Sequence, residues 1–462
     1  MDILLIDPPY ISLKGVVADC GYNMGLTSLA AYLRREGIEA AVLTGDLLED
    51  LPPDKIWTDM KDYAAGQRDY ERIVSDQTYP VWKALSDFVR QANPMAVGIS
   101  YYTPLKHTVE RVADLVREID PEIQIIAGAF HPTYCPGEVM QNQDIDFVIR
   151  GEGEIPLLRL VQELKKENPN MAIVPGIYYR DRAGQIQNNP GVKPLQNLDE
   201  LPLPARDLVL NCDYRRYRNH CLSSARGCPY ACSFCGDKRF WGGKVRRRSV
   251  GNVIEELKFL KDTYDITFVD FVDGTFTFDR KYLETFCRAL IDQNLNMRWR
   301  CTARYDNLNE VLLKLLKRSG CAGLYLGLES GSDRVLKAIN KKITLQEIIK
   351  VSNMVHDIGI FSVTSILLGL PDETKEEIEE TLSLMKRIKT DLFDVNSFTP
   401  LPGTPLYDSM TEEEKNIDWR KVGKKSLNNY FSKTMPREEF DAYLFEAYEI
   451  AARRRNWRDH KG

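Results

Sequence analysis

The sequence lacks the features that mark membrane proteins and nucleic-acid-binding proteins. No run of about eighteen apolar residues occurs in the chain, so no membrane-spanning helix is expected. The N-terminus has no basic segment followed by an apolar stretch, which argues against a signal peptide. The formal net charge of −5 provides no overall basic field that would attract phosphates. We therefore expect a cytoplasmic protein that acts on a small molecule and does not bind nucleic acid.

The chain lacks the two paired-cysteine knuckles that commonly bind a structural zinc ion, because seven of its ten cysteines have no knuckle spacing. Most are scattered along the chain, which suits a reducing compartment. Cys228, Cys232 and Cys235 are instead separated by three and then two residues. Three thiolates in one short loop can bind three irons of a four-iron cluster and leave the fourth iron open to a small-molecule ligand. The alternative is a structural cluster or zinc site, for which the nearest further ligand, His220, lies on the other side of the loop.

Short apolar strands alternate with helices over the first 170 residues. Such alternation predicts a doubly wound parallel sheet, an α/β fold with helices on both faces. Residues 46–90 interrupt the pattern with charged and aromatic segments that favour extra helices. The predicted strands are residues 2–7, 38–43, 96–100, 123–127 and 146–149, and predicted helices cover 28–36 and 105–119.

A second region of alternating strands and helices follows a proline-rich linker. Residues 176–189 have the pattern of a hairpin, and Leu-Pro-Leu-Pro at 201–204 fits an extended linker. Six further alternations predict an incomplete (β/α) barrel, with the three-cysteine loop after its first strand, at the end where barrel enzymes place their chemistry. The predicted barrel strands lie near 221–225, 266–272, 297–302, 322–328, 361–368 and 393–399.

These patterns divide the chain into four parts. Residues 1–170 form the doubly wound domain and 171–215 the hairpin and linker, while 216–405 form the partial barrel and 406–462 a helical C-terminal region. Ligands of a doubly wound sheet bind beyond the carboxyl ends of its strands. The loops predicted to form that rim are 7–10, 100–104, 128–133 and 151–154.

Five further motifs occur in order along the predicted barrel. They are Phe-Val-Asp-Gly-Thr-Phe at 271–276, Thr-Ala-Arg at 302–304, Gly-Leu-Glu-Ser-Gly-Ser at 327–332, Leu-Gly-Leu-Pro-Asp-Glu-Thr at 368–374 and Pro-Leu-Pro-Gly-Thr-Pro at 400–405. With these motifs and the cysteine loop, the chain resembles the radical S-adenosylmethionine superfamily. It is most similar to the branch with an N-terminal cobalamin-binding domain, which includes the anaerobic magnesium-protoporphyrin cyclase. The resemblance extends over residues 1 to about 408.

The resemblance implies a 4Fe–4S cluster on Cys228, Cys232 and Cys235, with S-adenosylmethionine chelating the open iron. It places the methionine moiety against 271–276, the carboxylate or ribose against Arg304 and Glu329, and the adenine against 369–371. Asp273 is followed by Gly274, whereas this branch commonly has two adjacent aspartates. The S-adenosylmethionine site implied in this way comprises Phe234, Asp273, Arg304, Glu329, Ser330, Gly369, Leu370 and Pro371.

The resemblance also implies that the N-terminal domain binds cobalamin. The Asp-x-His-x-x-Gly signature that supplies a histidine to cobalt is absent, so the lower face is expected to lack a histidine ligand, and His131 is interpreted as a packing or capping residue. Ala129 stands where a second glycine is usual, which places a methyl group where the nucleotide tail approaches. The implied contacts are Pro9, Tyr10, Ser100, Tyr101, Tyr102, Thr103, Gly128, Ala129, Phe130, His131, Gly151 and Glu152.

These resemblances predict an enzyme that cleaves S-adenosylmethionine and functionalises an unactivated carbon of a small molecule, by C-methylation in the leading hypothesis. The expected partners are that substrate and a reductant such as flavodoxin or ferredoxin. A cyclase, an oxidase or a ring-rearranging enzyme without methyl transfer is the first alternative.

Two other classes of protein are weighed against this one. A transfer-RNA methylthiotransferase would need three N-terminal cluster cysteines, but only Cys20 and Cys135 precede residue 200. A non-catalytic cobalamin sensor or carrier would not need the motifs of the S-adenosylmethionine site.

Overall fold

The computed structural model of the chain describes residues 1–10, 23–47, 60–216, 220–423 and 426–454. Cys20 and part of the 46–90 segment lie outside these ranges. The chain divides into two compact units, Met1–Arg218 with Ile417–Lys421, and Asn219–Asn416 with Val422–Gly462. Within the described ranges, no helix has the length and apolar character needed to cross a bilayer.

The first unit contains a seven-stranded sheet with the order β2-β1-β3-β4-β5-β6-β7. The first five strands are parallel, and β6 and β7 form an antiparallel hairpin that extends the sheet from β5. The elements are β1 (Ile3–Asp7), α1 (Met24–Arg35), β2 (Ala40–Thr44), α2 (Met60–Ser75), α3 (Pro80–Ala92), β3 (Ala96–Ser100), α4 (Lys106–Ile119), β4 (Gln124–Gly128), α5 (Phe130–Tyr134), α6 (Pro136–Val139), β5 (Phe147–Ile149), α7 (Glu154–Leu164), β6 (Ile177–Arg180) and β7 (Ile186–Asn188). The predicted doubly wound parallel sheet is confirmed.

Both faces of the parallel part of this sheet are buried, because its five strands are mostly apolar on both faces. Ile3 and Leu5 of β1 pack in the cluster formed with α1 and α7, whereas Leu4 and Ile6 pack in the cluster that contains α3 and α4. Helix α1 begins earlier than the pattern predicted, since the Asn23 side chain accepts a hydrogen bond from the Leu26 amide at 3.2 Å and caps the helix.

The second unit contains a six-stranded parallel sheet with the order β15-β14-β13-β12-β11-β8. Each strand is followed by a helix, so the sheet forms the predicted six-unit open barrel. The elements are β8 (Cys221–Leu222), β9 (Ala225–Arg226), α8 (Asp237–Phe240), β10 (Arg246–Arg247), α9 (Val250–Tyr264), β11 (Phe268–Phe271), α10 (Arg280–Asp292), β12 (Arg298–Ala303), α11 (Glu310–Arg318), β13 (Cys321–Glu329), α12 (Asp333–Ala338), α13 (Leu345–Ile358), β14 (Phe361–Leu368), α14 (Lys375–Arg387), β15 (Leu392–Ser397), α15 (Pro405–Asp408) and α16 (Arg437–Arg453).

The first barrel strand is shorter than the predicted range of 221–225. Only Cys221 and Leu222 pair with β11, and Ala225 and Arg226 instead form a two-stranded ladder with β10. The chain leaves the barrel ladder because the backbone amides of residues 224 and 225 donate to the side chain of Asp273. The C-terminal region ends in α16, which packs on α14 and β15.

Candidate functional site

The loop that carries Cys228, Cys232 and Cys235 begins at a sharp turn after β9. Gly227 has φ +102°, and a Cβ there would lie 2.5 Å from the Lys244 carbonyl oxygen, so only glycine fits. Tyr230 within the loop packs its ring 3.8 Å from the Arg304 guanidinium carbon, and its hydroxyl donates to Asn307 Oδ1 at 2.8 Å. The residues that follow β12 therefore hold the cysteine loop in place.

The three thiols of the loop do not converge as the ligands of a single metal ion would. Cys228, Cys232 and Cys235 are all half-buried, and the charges of Cys228 and Cys232 act on Cys235. Among the described residues, one group of three His, Cys, Asp or Glu side chains has its ligand atoms within 4.8 Å of one another. That group does not include any of the three loop cysteines. Thiolates of one zinc ion would have to converge within that distance, whereas those of a 4Fe–4S cluster bind separate irons and stay further apart. The donor set thus fits a cluster.

Burial raises the pKa of Cys235 to about 12, with the Asp237 carboxylate adding to the effect, and burial also raises the pKa of Cys232. Cluster binding must therefore displace protons from these thiols. Lys341 and Arg304 act in the opposite direction on Cys232, and Glu329 raises its pKa. Three charged side chains thus lie near Cys232. Arg304 and Glu329 belong to the S-adenosylmethionine site that the resemblance implies, and Lys341 is new.

Asp273 is buried behind the cysteine loop. Its Oδ1 accepts from the amides of Ser224 and Ala225 at 2.9 and 2.8 Å and from the Ser223 hydroxyl at 2.9 Å, and its Oδ2 accepts from the Ser224 hydroxyl at 2.7 Å. Burial raises the pKa of this carboxyl, and these hydrogen bonds partly offset the rise. The carboxylate therefore anchors the chain that leads into the cysteine loop. The contact between Asp273 and S-adenosylmethionine stays a prediction.

Gly274 makes room for a carboxylate that the sequence analysis did not single out. A Cβ at position 274 would lie 2.7 Å from Asp237 Oδ2 and 3.2 Å from Cys228 Cβ. Asp237 is half-buried at the start of α8, two residues after Cys235. Within the described part of the chain no hydrogen bond ends on its carboxylate. Asp237 thus occupies the space into which an acidic side chain at position 274 would extend.

Arg304 is buried, and its guanidinium is already bound by protein groups. Its Nε and Nη2 donate to the two carboxylate oxygens of Asp306 at 2.9 and 3.0 Å, and Nη2 also donates to the Lys341 carbonyl oxygen. A planar guanidinium suits such bidentate binding. In the structure Arg304 links β12, the cysteine loop and Lys341, and its contact with the cofactor stays a prediction.

Glu329 ends β13 in a buried ion pair with Lys341. The Oε1–Nζ distance is 2.7 Å, the side chains are 9% and 7% exposed, and Ser365 donates to Oε2 at 3.3 Å. Glu329 has φ +72° and lies at a register shift between β13 and β14. A Cβ at Gly327 would lie 2.5 Å from both charged atoms, so a side chain there would displace the pair from this geometry. Lys341 was not predicted, because it belongs to none of the motifs.

The turn at 369–371 is shaped by a buried acid. The amides of Gly369 and Leu370 donate to Glu373 Oε2 at 2.8 and 3.3 Å, and burial raises the pKa of Glu373 to about 8. Gly369 has φ +80°, and a Cβ there would lie 2.6 Å from the Phe440 ring of α16. This turn presents the exposed edge of Pro371 at the carboxyl end of β14, where the adenine contact was predicted.

Ser330 and Phe234, the remaining residues of the implied S-adenosylmethionine site, have different surroundings. Ser330 is fully buried, and its hydroxyl lies 3.3 Å from that of Thr381 and accepts from the Ser332 amide. Phe234 is half-buried between the last two cluster cysteines in sequence. The cofactor contacts of both residues stay predictions.

In the first unit, the predicted rim loops meet at the carboxyl edge of the sheet. The side-chain Nδ2 of Asn23 donates to Asp7 Oδ1 at 2.8 Å and to the Ser100 hydroxyl at 3.2 Å, which links the ends of β1 and β3. Burial raises the pKa of Asp7 to about 7. The half-buried ring of Tyr10 lies edge-on to Tyr70 at 5.2 Å. Pro9 is buried between Asp7 and Tyr10.

The loops after β3 and β4 are joined through aromatic rings. Tyr102 stacks on Phe130 at 5.4 Å and is 41% exposed, whereas Tyr101 is buried and packs on the His131 ring at 4.6 Å. Burial lowers the pKa of His131 to about 4, which keeps its imidazole neutral at physiological pH. Of these four rings, Tyr102 and Phe130 therefore offer a flat apolar surface at the rim.

The loop after β4 is tied to the loop after β5 by Thr133. Its hydroxyl donates to the Ala129 carbonyl at 2.6 Å and accepts from the Gly151 amide at 2.9 Å. Gly151 has φ +72°, and half-buried Glu152 follows it. Thr103 and Gly128 complete the implied cobalamin site, whose contacts with cobalamin stay predictions.

Ala129 adopts a backbone conformation that glycine prefers. Its φ and ψ angles are 83° and −149°. A residue with a side chain pays roughly 1–3 kcal/mol for such a conformation. Ala129 thus adopts a glycine-type backbone conformation, and this conformation is strained because alanine has a side chain.

The Ala129→Gly variant is therefore expected to be more stable by about 1 kcal/mol and to bind hydroxocobalamin more tightly, because strain is relieved and the methyl group is removed. Urea denaturation and equilibrium dialysis measure the two effects. Ala127→Gly, inside β4, is the control and should destabilise the protein. A lower urea midpoint for Ala129→Gly would contradict the strain argument.

The fold and the site together define a class of protein, one that joins a doubly wound domain to an open parallel barrel with a cluster-binding loop after its first strand. The radical SAM superfamily model matches residues 222–385, and the B12 binding domain model matches residues 12–161. An uncharacterized methyltransferase of Pyrococcus horikoshii is 31% identical over 427 residues, which cover 91% of this chain and 86% of the relative. The chain belongs to the radical S-adenosylmethionine superfamily, in the branch with a B12-binding domain.

Other relatives and solved structures agree. The anaerobic magnesium-protoporphyrin IX monomethyl ester cyclase of Rubrivivax gelatinosus is 26% identical to this chain. The match covers 91% of this chain and 72% of the cyclase. The structure of the methyltransferase TsrM from Kitasatospora setae has a TM-score of 0.69 at 17% identity, over 90% of this chain and 76% of that one. The cobalamin-dependent S-adenosylmethionine radical enzyme OxsB has a TM-score of 0.65 at 18% identity, and the match covers 94% of this chain and 58% of OxsB.

The predicted family and fold are confirmed by these matches. The two matched domains identify a cobalamin-dependent radical S-adenosylmethionine enzyme, whose cofactors are a 4Fe–4S cluster, S-adenosylmethionine and cobalamin. The individual contacts with those cofactors stay predictions.

Proposed function

We propose that the protein transfers a methyl group to an unactivated carbon of a small polar molecule. The observation that carries the proposal is the 31% identity with a methyltransferase over 91% of this chain. The presence of both cofactor domains in one chain supports it. When bound, the cluster with S-adenosylmethionine supplies the means to remove a hydrogen atom from carbon, and cobalamin supplies the methyl carrier.

The chain's own residues bind and orient the groups that react. Cys228, Cys232 and Cys235 hold the cluster, and Lys341 places an ammonium beside Cys232, where it suits the carboxylate of S-adenosylmethionine. Glu329 holds that ammonium in position through the 2.7 Å ion pair. The turn at 369–371, whose Gly369 and Leu370 amides Glu373 holds in place, is proposed to contact the adenine.

The substrate is proposed to bind on the concave face of the open barrel. Alternate strand positions point to one face of a sheet, and on this face the barrel carries polar pairs. Arg300 donates to Asp270 between β11 and β12, and the Tyr325 hydroxyl donates to Asp394 between β13 and β15. Burial raises the pKa of Tyr325, so its hydroxyl stays protonated. Such a lining favours a substrate with hydrogen-bonding groups.

The test follows the methyl group and both products of S-adenosylmethionine. The holoenzyme, a flavodoxin or ferredoxin as the proposed reductant, and methyl-deuterated S-adenosylmethionine are incubated with candidate substrates from a small-molecule extract. We expect a deuteriomethylated product together with 5′-deoxyadenosine and S-adenosylhomocysteine. The Cys232→Ala variant should yield none of the three, because it lacks a ligand of the cluster.

A second candidate function is cyclisation or oxidation without methyl transfer. It is favoured by the 26% identity with the cyclase of Rubrivivax gelatinosus over 91% of this chain. The same incubation distinguishes the two, since a modified product with 5′-deoxyadenosine and no S-adenosylhomocysteine over many turnovers would rule out the methyltransferase and support this candidate.

A further inference from the structure

Three side chains of different chemistry converge in the first unit, away from the cluster cysteines in the chain. One ligand atom each of His131, Cys135 and Glu138 lies within 4.8 Å of the others. The residues are spaced by four and three positions, across the break between α5 and α6. His131 Nε2 lies 3.8 Å from Glu138 Oε2, too far for a hydrogen bond.

The His131 side chain is buried with one nitrogen unsatisfied. The residue is 1% exposed, and its Nε2 has no hydrogen-bond partner among the residues that the structure describes. The other nitrogen, Nδ1, lies 3.1 Å from the Thr103 hydroxyl, and the ring packs on Tyr101 at 4.6 Å. A buried polar atom without a partner is costly and calls for a ligand. Thr103 orients the ring so that Nε2 faces Cys135 and Glu138. Metal-bound histidines are commonly oriented in this way, by a hydrogen bond to the ring nitrogen that does not bind the metal.

The Glu138 carboxylate is divided between two neighbours. Its Oε1 accepts from the Lys106 ammonium, while Oε2 is the oxygen that faces His131. Lys106 therefore holds the carboxylate in place without occupying the oxygen that faces His131. The Glu138 side chain is 40% exposed, which gives an ion a path from solvent to the buried imidazole.

We propose that His131 Nε2, Cys135 Sγ and Glu138 Oε2 bind a divalent transition-metal ion with the preferences of zinc. An imidazole, a thiolate and a carboxylate are all zinc ligands, and three protein ligands leave a fourth position open. Binding draws the three atoms, which lie within 4.8 Å of one another, closer together, and the break in the helix at Cys135 allows this movement. The Cys135 proton is released to solvent when the metal binds.

The site differs from the cluster site in its position and in its ligands. It follows directly after Gly128 and Ala129, in the loop that forms part of the cobalamin-binding domain's rim. A metal ion there would join α5 to α6 and fix the path of that loop. It would do so whatever reaction the barrel catalyses, so this proposal stands independently of the proposed function.

The test uses the holoenzyme, in which the cluster already occupies Cys228, Cys232 and Cys235. The protein is dialysed against a chelator, loaded with Zn²⁺ and analysed for zinc content and by X-ray absorption at the zinc edge, to which iron and cobalt do not contribute. We expect one tightly held zinc per chain with one sulfur neighbour. Cys135→Ser should remove the sulfur signal and weaken zinc binding at least about tenfold, and the exposed variant Glu138→Gln should also weaken it.

Cys212→Ser is the matched control, because it removes another half-buried thiol of the same unit and should leave zinc binding unchanged. Thermal unfolding separates metal loss from misfolding. Without zinc, Cys135→Ser should melt as the unsubstituted protein does, and added zinc should raise the melting temperature only of the unsubstituted protein and Cys212→Ser. Zinc retained equally by Cys135→Ser, or a sulfur signal that persists in it, would overturn the proposal.

Discussion

An aspartate placed at position 274 is expected to prevent assembly of the iron–sulfur cluster, and simultaneous removal of the Asp237 side chain is expected to restore it. A Cβ at 274 would lie 2.7 Å from Asp237 Oδ2 and 3.2 Å from the Cβ of the cluster cysteine Cys228. A carboxylate there would also face that of Asp237. Two such charges about 4 Å apart repel by about 4 kcal/mol at the effective dielectric constant of a protein surface. That energy corresponds to roughly a thousandfold change in an equilibrium constant.

The experiment compares three variants by iron and sulfide content after anaerobic reconstitution. Gly274→Ala should assemble most of the cluster, because the end of the Asp237 side chain can move away from a methyl group. Gly274→Asp should assemble little, and Asp237→Gly with Gly274→Asp should return to near the content of the unsubstituted protein. If the double variant is as poor as Gly274→Asp, Asp237 does not replace the missing acid and the clash is with the cysteine loop alone.

The fold was predictable because both sheets follow from local patterns. β3 and β14 were predicted at their exact bounds, and β1 and β12 within one residue, since each is a short run with many apolar residues between turn signals. The first barrel strand was predicted too long. No local pattern reports that Asp273, about fifty residues later, draws the amides of 224 and 225 out of the ladder.

The site was predictable only where function requires a motif. The cluster cysteines are close together in sequence, so their spacing alone indicates a cluster. Lys341 lies after α12, outside every motif, and its relation to Glu329 arises from the path of that helix. Asp237 and Gly274 are likewise linked only in space. Contacts between residues far apart in one chain leave no pattern in a single sequence.

The largest loss of stability is expected from Lys341→Met. Lys341 and Glu329 are 7% and 9% exposed, and removal of one partner leaves a buried charge without compensation. Breaking a buried pair in this way typically costs about 3–5 kcal/mol. The double variant Glu329→Gln with Lys341→Met should recover most of that loss, because no buried charge remains. Urea denaturation measures the cycle, and Lys337→Met, on the exposed side of α12, is the control that should change little.

Binding of S-adenosylmethionine then separates folding from function. If Lys341 binds the cofactor's carboxylate, the double variant should be stable yet bind S-adenosylmethionine as weakly as Lys341→Met does, since the ammonium is missing from both. Calorimetry of the cluster-loaded protein measures this affinity without requiring turnover. A double variant that regains both stability and affinity would mean that the ion pair serves only to fold the barrel and that another group binds the carboxylate. Buried Arg304 could be that group only by exchanging its bidentate partner, Asp306.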